Sequence, residues 1–149
     1  MNFLSTTIRK TGASWEVGVV RLLLGVLFLM TGLMKLFVPM LREAFSGQLT
    51  LAGIPLHDLN MWVVPLAEVA IGVLLLLGAF ARLAALAAIG TMIVATYVHL
   101  VVDDPTVFPL QSTAPIAPIL VLLLSGLILW RGAGSWSLDR RSTGAASAG

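Results

Sequence analysis

Three ionisable side chains, Lys35, Glu68 and His99, stand in stretches that are otherwise almost wholly apolar. Glu68 is the most costly of them. It lies in WVVPLAEVAIGVLLLLGAFAR, Trp62 to Arg82, a run matching the ~20 helical residues that cross a bilayer core. A carboxylate at such depth costs ~2.5–3.5 kcal/mol on insertion scales. The block Val73 to Leu77 returns ~0.3–0.6 kcal/mol per residue, so the span should still insert. Ionisable groups at depth usually face a bundle interior and pair with one another. The expected pair is Glu68 with Lys35, whose long stem can reach down. Such a pair can lock two helices together, or it can hold a polar ligand and hand on a proton. His99 has two readings as well, an interfacial histidine or a third polar group of the same site. His57 reads as solvated, and Met30, Met34, Met61 and Met92 as packing.

Composition bounds what these residues can serve. The 149 residues are 58% hydrophobic and 11% charged, and mean hydropathy is +1.00. Soluble domains carry about 25% charged residues, so this is an integral membrane protein. The net charge of +2 and a pI near 9.7 reflect how membrane topology is written, and nucleic acid is not an expected partner. With no cysteine, dithiol relays, Fe–S ligation and thiolate zinc sites are excluded. No residue is assigned as catalytic or as a metal ligand.

Four spans should position the polar residues, at about 17–37, 62–81, 83–102 and 115–130. They are flanked by an amino-terminal segment 1–16 and a tail 131–149, taken as mobile after Arg141. The first span carries Gly18, Gly25 and Gly32 seven apart, one near-straight stripe on a helix. Small residues let backbones approach closely in lipid, so the stripe should face another helix. Arg21, near the opposite end from Lys35, is expected to snorkel to the headgroups. Pro39 ends the span. In the loop that follows, Leu41, Phe45, Leu49 and Ala52 suggest a short amphipathic segment on the membrane surface, stopped by Gly53 and Pro55. The third span carries Ala84, Ala88, Thr91, Ala95 and His99 on one seam. A weak internal echo, VLLLLGAFAR against VLLLSGLILWR, is compatible with two related hairpins.

Charge sets the expected orientation. Arg9, Lys10, Arg21, Arg82, Arg131, Arg140 and Arg141 fall on one side, against Lys35 and Arg42 on the other. Both termini should therefore be cytoplasmic, with Lys35, Glu68 and His99 in the outer half of the bundle.

Three stretches carry a resemblance to a known family. VRLLLGVLFLMTGLMKLF, with Arg21, Gly25, Gly32 and Lys35, resembles the first span of the DoxX family of small four-helix membrane proteins. PLAEVAIGVLLLLGAFARLAAL, with Glu68, Gly72, Gly78 and Arg82, resembles its second span and turn. GSWSLDRR, with Ser137, Leu138 and Asp139, resembles its carboxyl-terminal signature. The resemblance implies an all-α membrane protein, a four-helix bundle in the cytoplasmic (inner) membrane. Some members are associated with thiosulfate:quinone oxidoreductase or other membrane redox assemblies, which supports a redox role by analogy.

On that basis the chain is expected to be an accessory or quinone-side subunit of a membrane oxidoreductase, not a stand-alone enzyme. Lys35, Glu68 and His99 would line a small pocket, with Lys35 or His99 on a quinone carbonyl and Glu68 tuning or passing the proton. Expected partners are the bilayer, membrane redox subunits and further copies of the chain. Two other readings stand beside it: a non-enzymatic assembly or stress-related protein, and a small transporter or proton pathway.

Overall fold

Apolar residues recurring with helical period dominate the computed structural model, which describes residues 14–140. The expectations for the amino-terminal segment up to residue 13, and for the tail beyond Arg140, lie outside the described residues. Within them the chain is all-helical: α1 Trp15–Phe37, α2 Pro39–Leu51, α3 His57–Leu77, α4 Ala81–Val101 and α5 Ile116–Arg131, with a 3-10 turn Pro105–Val107 between α4 and α5. Helices α1, α3 and α4 are long and apolar enough to cross a membrane. At 16 residues α5 is shorter, ~24 Å at 1.5 Å per residue. The chain is a multi-pass membrane protein.

The helices pair as α1 with α3 and α4 with α5. Glycine makes the first pairing close. A Cβ on Gly25 would stand 3.0 Å from the Leu76 backbone nitrogen, one on Gly32 2.7 Å from the Pro65 carbonyl, and one on Gly72 2.5 Å from the Leu29 nitrogen. Gly25 and Gly32 therefore face α3, with Gly72 returning the contact from the other side, while Gly18 at the start of the stripe faces Ser135 in the segment after α5. Ala84 and Ala88 are buried on α4 in the same way. The main core, including Leu24, Phe28, Ile71, Leu75, Ala84, Ala88 and Ile128, occupies the half of the bundle nearer the start of α1. The other half has two smaller clusters, one around Val98, Val102 and Phe108, the other joining Phe45, Leu49 and Met61.

Arg21 overturns its expectation. Instead of snorkelling, it is 0% exposed. Its Nε donates to the Ala133 carbonyl at 2.8 Å, Nη1 to those of Leu75 and, at 3.0 Å, Leu76. Nη2 donates to Ser135 at 3.3 Å and to Trp136 at 3.1 Å. Leu75 and Leu76 belong to the last turn of α3, whose carbonyls lack the regular helical donor four residues on and whose dipole favours a cation. The segment after α5 supplies the rest by folding back across this end of the bundle. Gly134, at φ 69°, allows it: a Cβ there would stand 2.5 Å from the Gly18 nitrogen.

Asp139 completes the clasp. The chain turns sharply between α3 and α4 through Gly78 (φ 63°) and Phe80 (φ 49°), the second costly because a non-glycine residue occupies the left-handed region. Asp139 offsets that cost, its two carboxylate oxygens accepting from Phe80 N and Ala81 N, each at 2.9 Å. A residue remote in sequence thus serves as the cap of α4, with its charge suited to a helix start.

Two predictions follow from these contacts. Gly25→Leu and Gly32→Leu should each destabilise by about 1–3 kcal/mol or more through overpacking, and more than Leu27→Ala on the exposed face. Thermal unfolding of the three variants in one detergent checks this, and equal stabilities would contradict it. By the same assay, Asp139→Ala should cost about 1–2 kcal/mol, as for loss of a helix cap. Asp139→Asn, which keeps one acceptor, should cost less.

Candidate functional site

Close packing of α1 on α3 sets Lys35, in the last turn of α1, against the middle of α3. Its Nζ lies 2.5 Å from Glu68 Oε1, a charge-assisted contact. The same ammonium sits 4.9 Å from the centroid of the Phe45 ring, so α2 shares in holding it. Because α3 begins at His57 and not near residue 62, Glu68 is the twelfth of its 21 residues, ~17 Å from the helix start at 1.5 Å per residue. It lies deeper along the helix than the sequence suggests and is 2% exposed.

His99 is in the last turn of α4 and is 9% exposed, so the interfacial reading gives way to a buried one. Phe108 tilts against the ring with centroids 4.5 Å apart, and Nδ1 donates to the Ala95 carbonyl at 2.8 Å. Phe108 itself is held by the loop. Asp104 Oδ1 accepts from Thr106 N at 2.9 Å and Thr106 Oγ1 at 2.7 Å, which holds its carboxyl below the usual range. Gln48 Nε2 reaches across from α2 to the Val107 carbonyl at 2.6 Å.

Between the two helix pairs, at the Lys35 end, is a cavity of about 770 Å³, and Lys35, Glu68 and His99 all line it. Its walls are otherwise mostly apolar, from every helix and from Pro109 to Gln111 of the loop. That volume falls within the ~300–1,000 Å³ range of small-molecule sites. Two polar atoms buried here have no protein partner, Glu68 Oε2 and His99 Nε2. Such groups are rare in folded proteins because each forfeits its hydration without replacement. The serine and threonine hydroxyls of the spans, that of the cavity-lining Thr91 included, bond back to their own helix: Thr91 to the Ala87 carbonyl at 3.0 Å, Thr96 to Met92 at 2.7 Å, Ser125 to Val121 at 2.7 Å.

Other expectations separate. His57 is not simply solvated, since Nε2 lies 3.0 Å from Ser46 Oγ and Nδ1 3.1 Å from Asp58, tying α2 to the start of α3. Met34 and Met92 reach the cavity wall, while Met61 packs with Phe45 and Leu49. No group of three or more acidic, histidine or cysteine residues able to hold a metal occurs among the described residues. Phe108 and Gln48 were not visible as site residues in the sequence. The one available signal was Asp104 before Pro105, a turn start that fixes where Phe108 falls.

No curated protein and no solved structure matches the chain. A protein-family model, DoxX, matches residues 17–100. The matched range is more than half of the chain, and it holds the buried Arg21, the glycine stripe and all three cavity residues. The chain belongs to the DoxX family.

Proposed function

We propose that the protein is an accessory, quinone-side subunit of a membrane oxidoreductase assembly, and that its cavity receives the ring of the quinone. The observation that carries this reading is the pair of buried atoms without partners, Glu68 Oε2 and His99 Nε2, on two residues that line a largely apolar cavity. An apolar ring with polar substituents fits such walls. Lys35 still has ammonium hydrogens to offer a ring oxygen, since one contact to Glu68 uses only part of its capacity. Electrons come from a partner oxidoreductase. This chain binds, orients and keeps a carboxylate and an imidazole at the ring for its protons.

A second reading has its own support. Lys35 bridges Glu68 on α3 and the Phe45 ring on α2, as expected of a residue that only locks helices. In this reading the protein is a non-enzymatic assembly component. The transporter reading gains no specific observation.

The proposed orientation places both termini in the cytoplasm and the cavity in the outer half of the inner membrane. With Arg21 buried and removed from the tally, six basic residues still stand against two. The chain has no natural cysteine, so single cysteines at Thr50 and Ser142 can be labelled with an impermeant reagent in intact cells. Labelling is expected at Thr50 alone, and the reverse pattern would invert the topology.

The pair itself separates the two readings. Glu68→Gln and Lys35→Met should each cost about 3–5 kcal/mol, because each strands a buried partner. The double variant should cost less than their sum. If the residues serve a quinone, it regains stability and stays inactive in quinone-linked turnover of membranes complemented with it. If they are only a lock, it regains both. Strictly additive stability losses would remove the pairing from either account.

A further inference from the structure

The hydrogen-bonding polarity of the cavity is more specific than its shape. His99 Nδ1 faces the Ala95 carbonyl at 2.8 Å. A carbonyl can only accept, so Nδ1 carries the hydrogen. In the neutral imidazole the other nitrogen, Nε2, is then an acceptor. Glu68 Oε1 is engaged by the Lys35 ammonium at 2.5 Å, and an ionised carboxylate has only acceptors, so Oε2 is an acceptor too. Both atoms are buried and unpartnered, on residues 9% and 2% exposed, and both residues line one cavity. The site therefore asks its ligand for hydrogens.

We infer that the cavity selects the dihydroxy form of an aromatic ring, a hydroquinone, over the dicarbonyl form. This rests on the quinone-site reading above and goes beyond it. A ring hydroxyl can donate to His99 Nε2 or Glu68 Oε2 while its oxygen accepts from Lys35. A ring carbonyl satisfies Lys35 alone and leaves both acceptors bare. Sites built around a substrate hydroxyl discriminate strongly against an analogue lacking it, because their own polar groups are then left unpaired. The expectation that Lys35 or His99 meets a quinone carbonyl is thus revised for His99: its free nitrogen suits an O–H.

The test compares three ligands of one shape on the purified full chain in nanodiscs, under anaerobic conditions. They are a decyl-substituted hydroquinone, its dimethyl ether and the corresponding quinone. The ether keeps the ring and oxygens and removes both donors. Binding is read by calorimetry. The hydroquinone should bind at least tenfold tighter than either of the others to the unmodified protein. His99→Leu should narrow that ratio, with folding verified by cooperative thermal unfolding. Ether or quinone binding as tight as the hydroquinone would overturn the inference and leave the quinone-site reading standing. Failure of all three to bind the folded protein would overturn both. Because the ligand series is run on the unmodified chain, the result does not depend on any variant folding.

Discussion

One guanidinium organises one end of this bundle. Arg21 sits where a bilayer-spanning helix begins and bonds to backbone carbonyls of the α3 terminus and of the segment after α5. A buried cation is tolerable only when its hydration is replaced almost completely. The planar five-donor fork of arginine can do that among carbonyls, whereas an ammonium, with its three donors, cannot reach the same set. With Asp139 as the neighbouring opposite charge, the guanidinium and the carboxylate join the first turns of α1, the α3–α4 turn and the segment after α5, three regions far apart in sequence. The sharp turn at Gly78 to Phe80 and the doubling-back at Gly134 are consequences of closing that clasp.

The second charged cluster obeys the opposite rule. Lys35, Glu68 and His99 are also buried or half-buried, yet the protein leaves one atom on Glu68 and one on His99 unpaired. Arg21, by contrast, donates to five backbone carbonyls, although Arg42 Nη1 and Arg82 Nε are also buried without partners. Lys35, Glu68 and His99 line the cavity, whereas Arg21 is fully buried at the other end of the bundle.

Much of this was legible in the sequence. The seven-residue spacing of Gly18, Gly25 and Gly32 predicts a close helix contact, and a lone carboxylate in an apolar span predicts a cationic partner. Both are pattern arguments that need only helical geometry. Arg21 was misread because its partners are backbone carbonyls, which no residue type announces, on residues as far away as Trp136. Snorkelling is the default for an arginine near a span end, and only the returning segment defeats it. The loop helix was half legible. Phe45, Leu49 and Ala52 do share an apolar face, but they bury it within the protein (α2 packs into the bundle) and do not lie on lipid. His99 could not be placed because Phe108, nine residues later, covers it only once the loop is folded.

The cavity itself follows from one seam of small residues used in two ways. Along α4, Ala84 and Ala88 are buried where α5 approaches closely. One and two turns further on, Thr91 and Ala95 continue the same seam, and no bulky side chain projects from those positions to fill the space. There α2 packs on α1 and α3, with Phe45 and Leu49 against Met61 on α3. Small side chains that would give close contact between touching helices give volume between helices held apart. A Cβ on Gly90 would meet nothing within 4 Å, as expected of a position facing that volume or lipid. A seam that brings helices together at the Arg21 end thus lines a cavity at the Lys35 end.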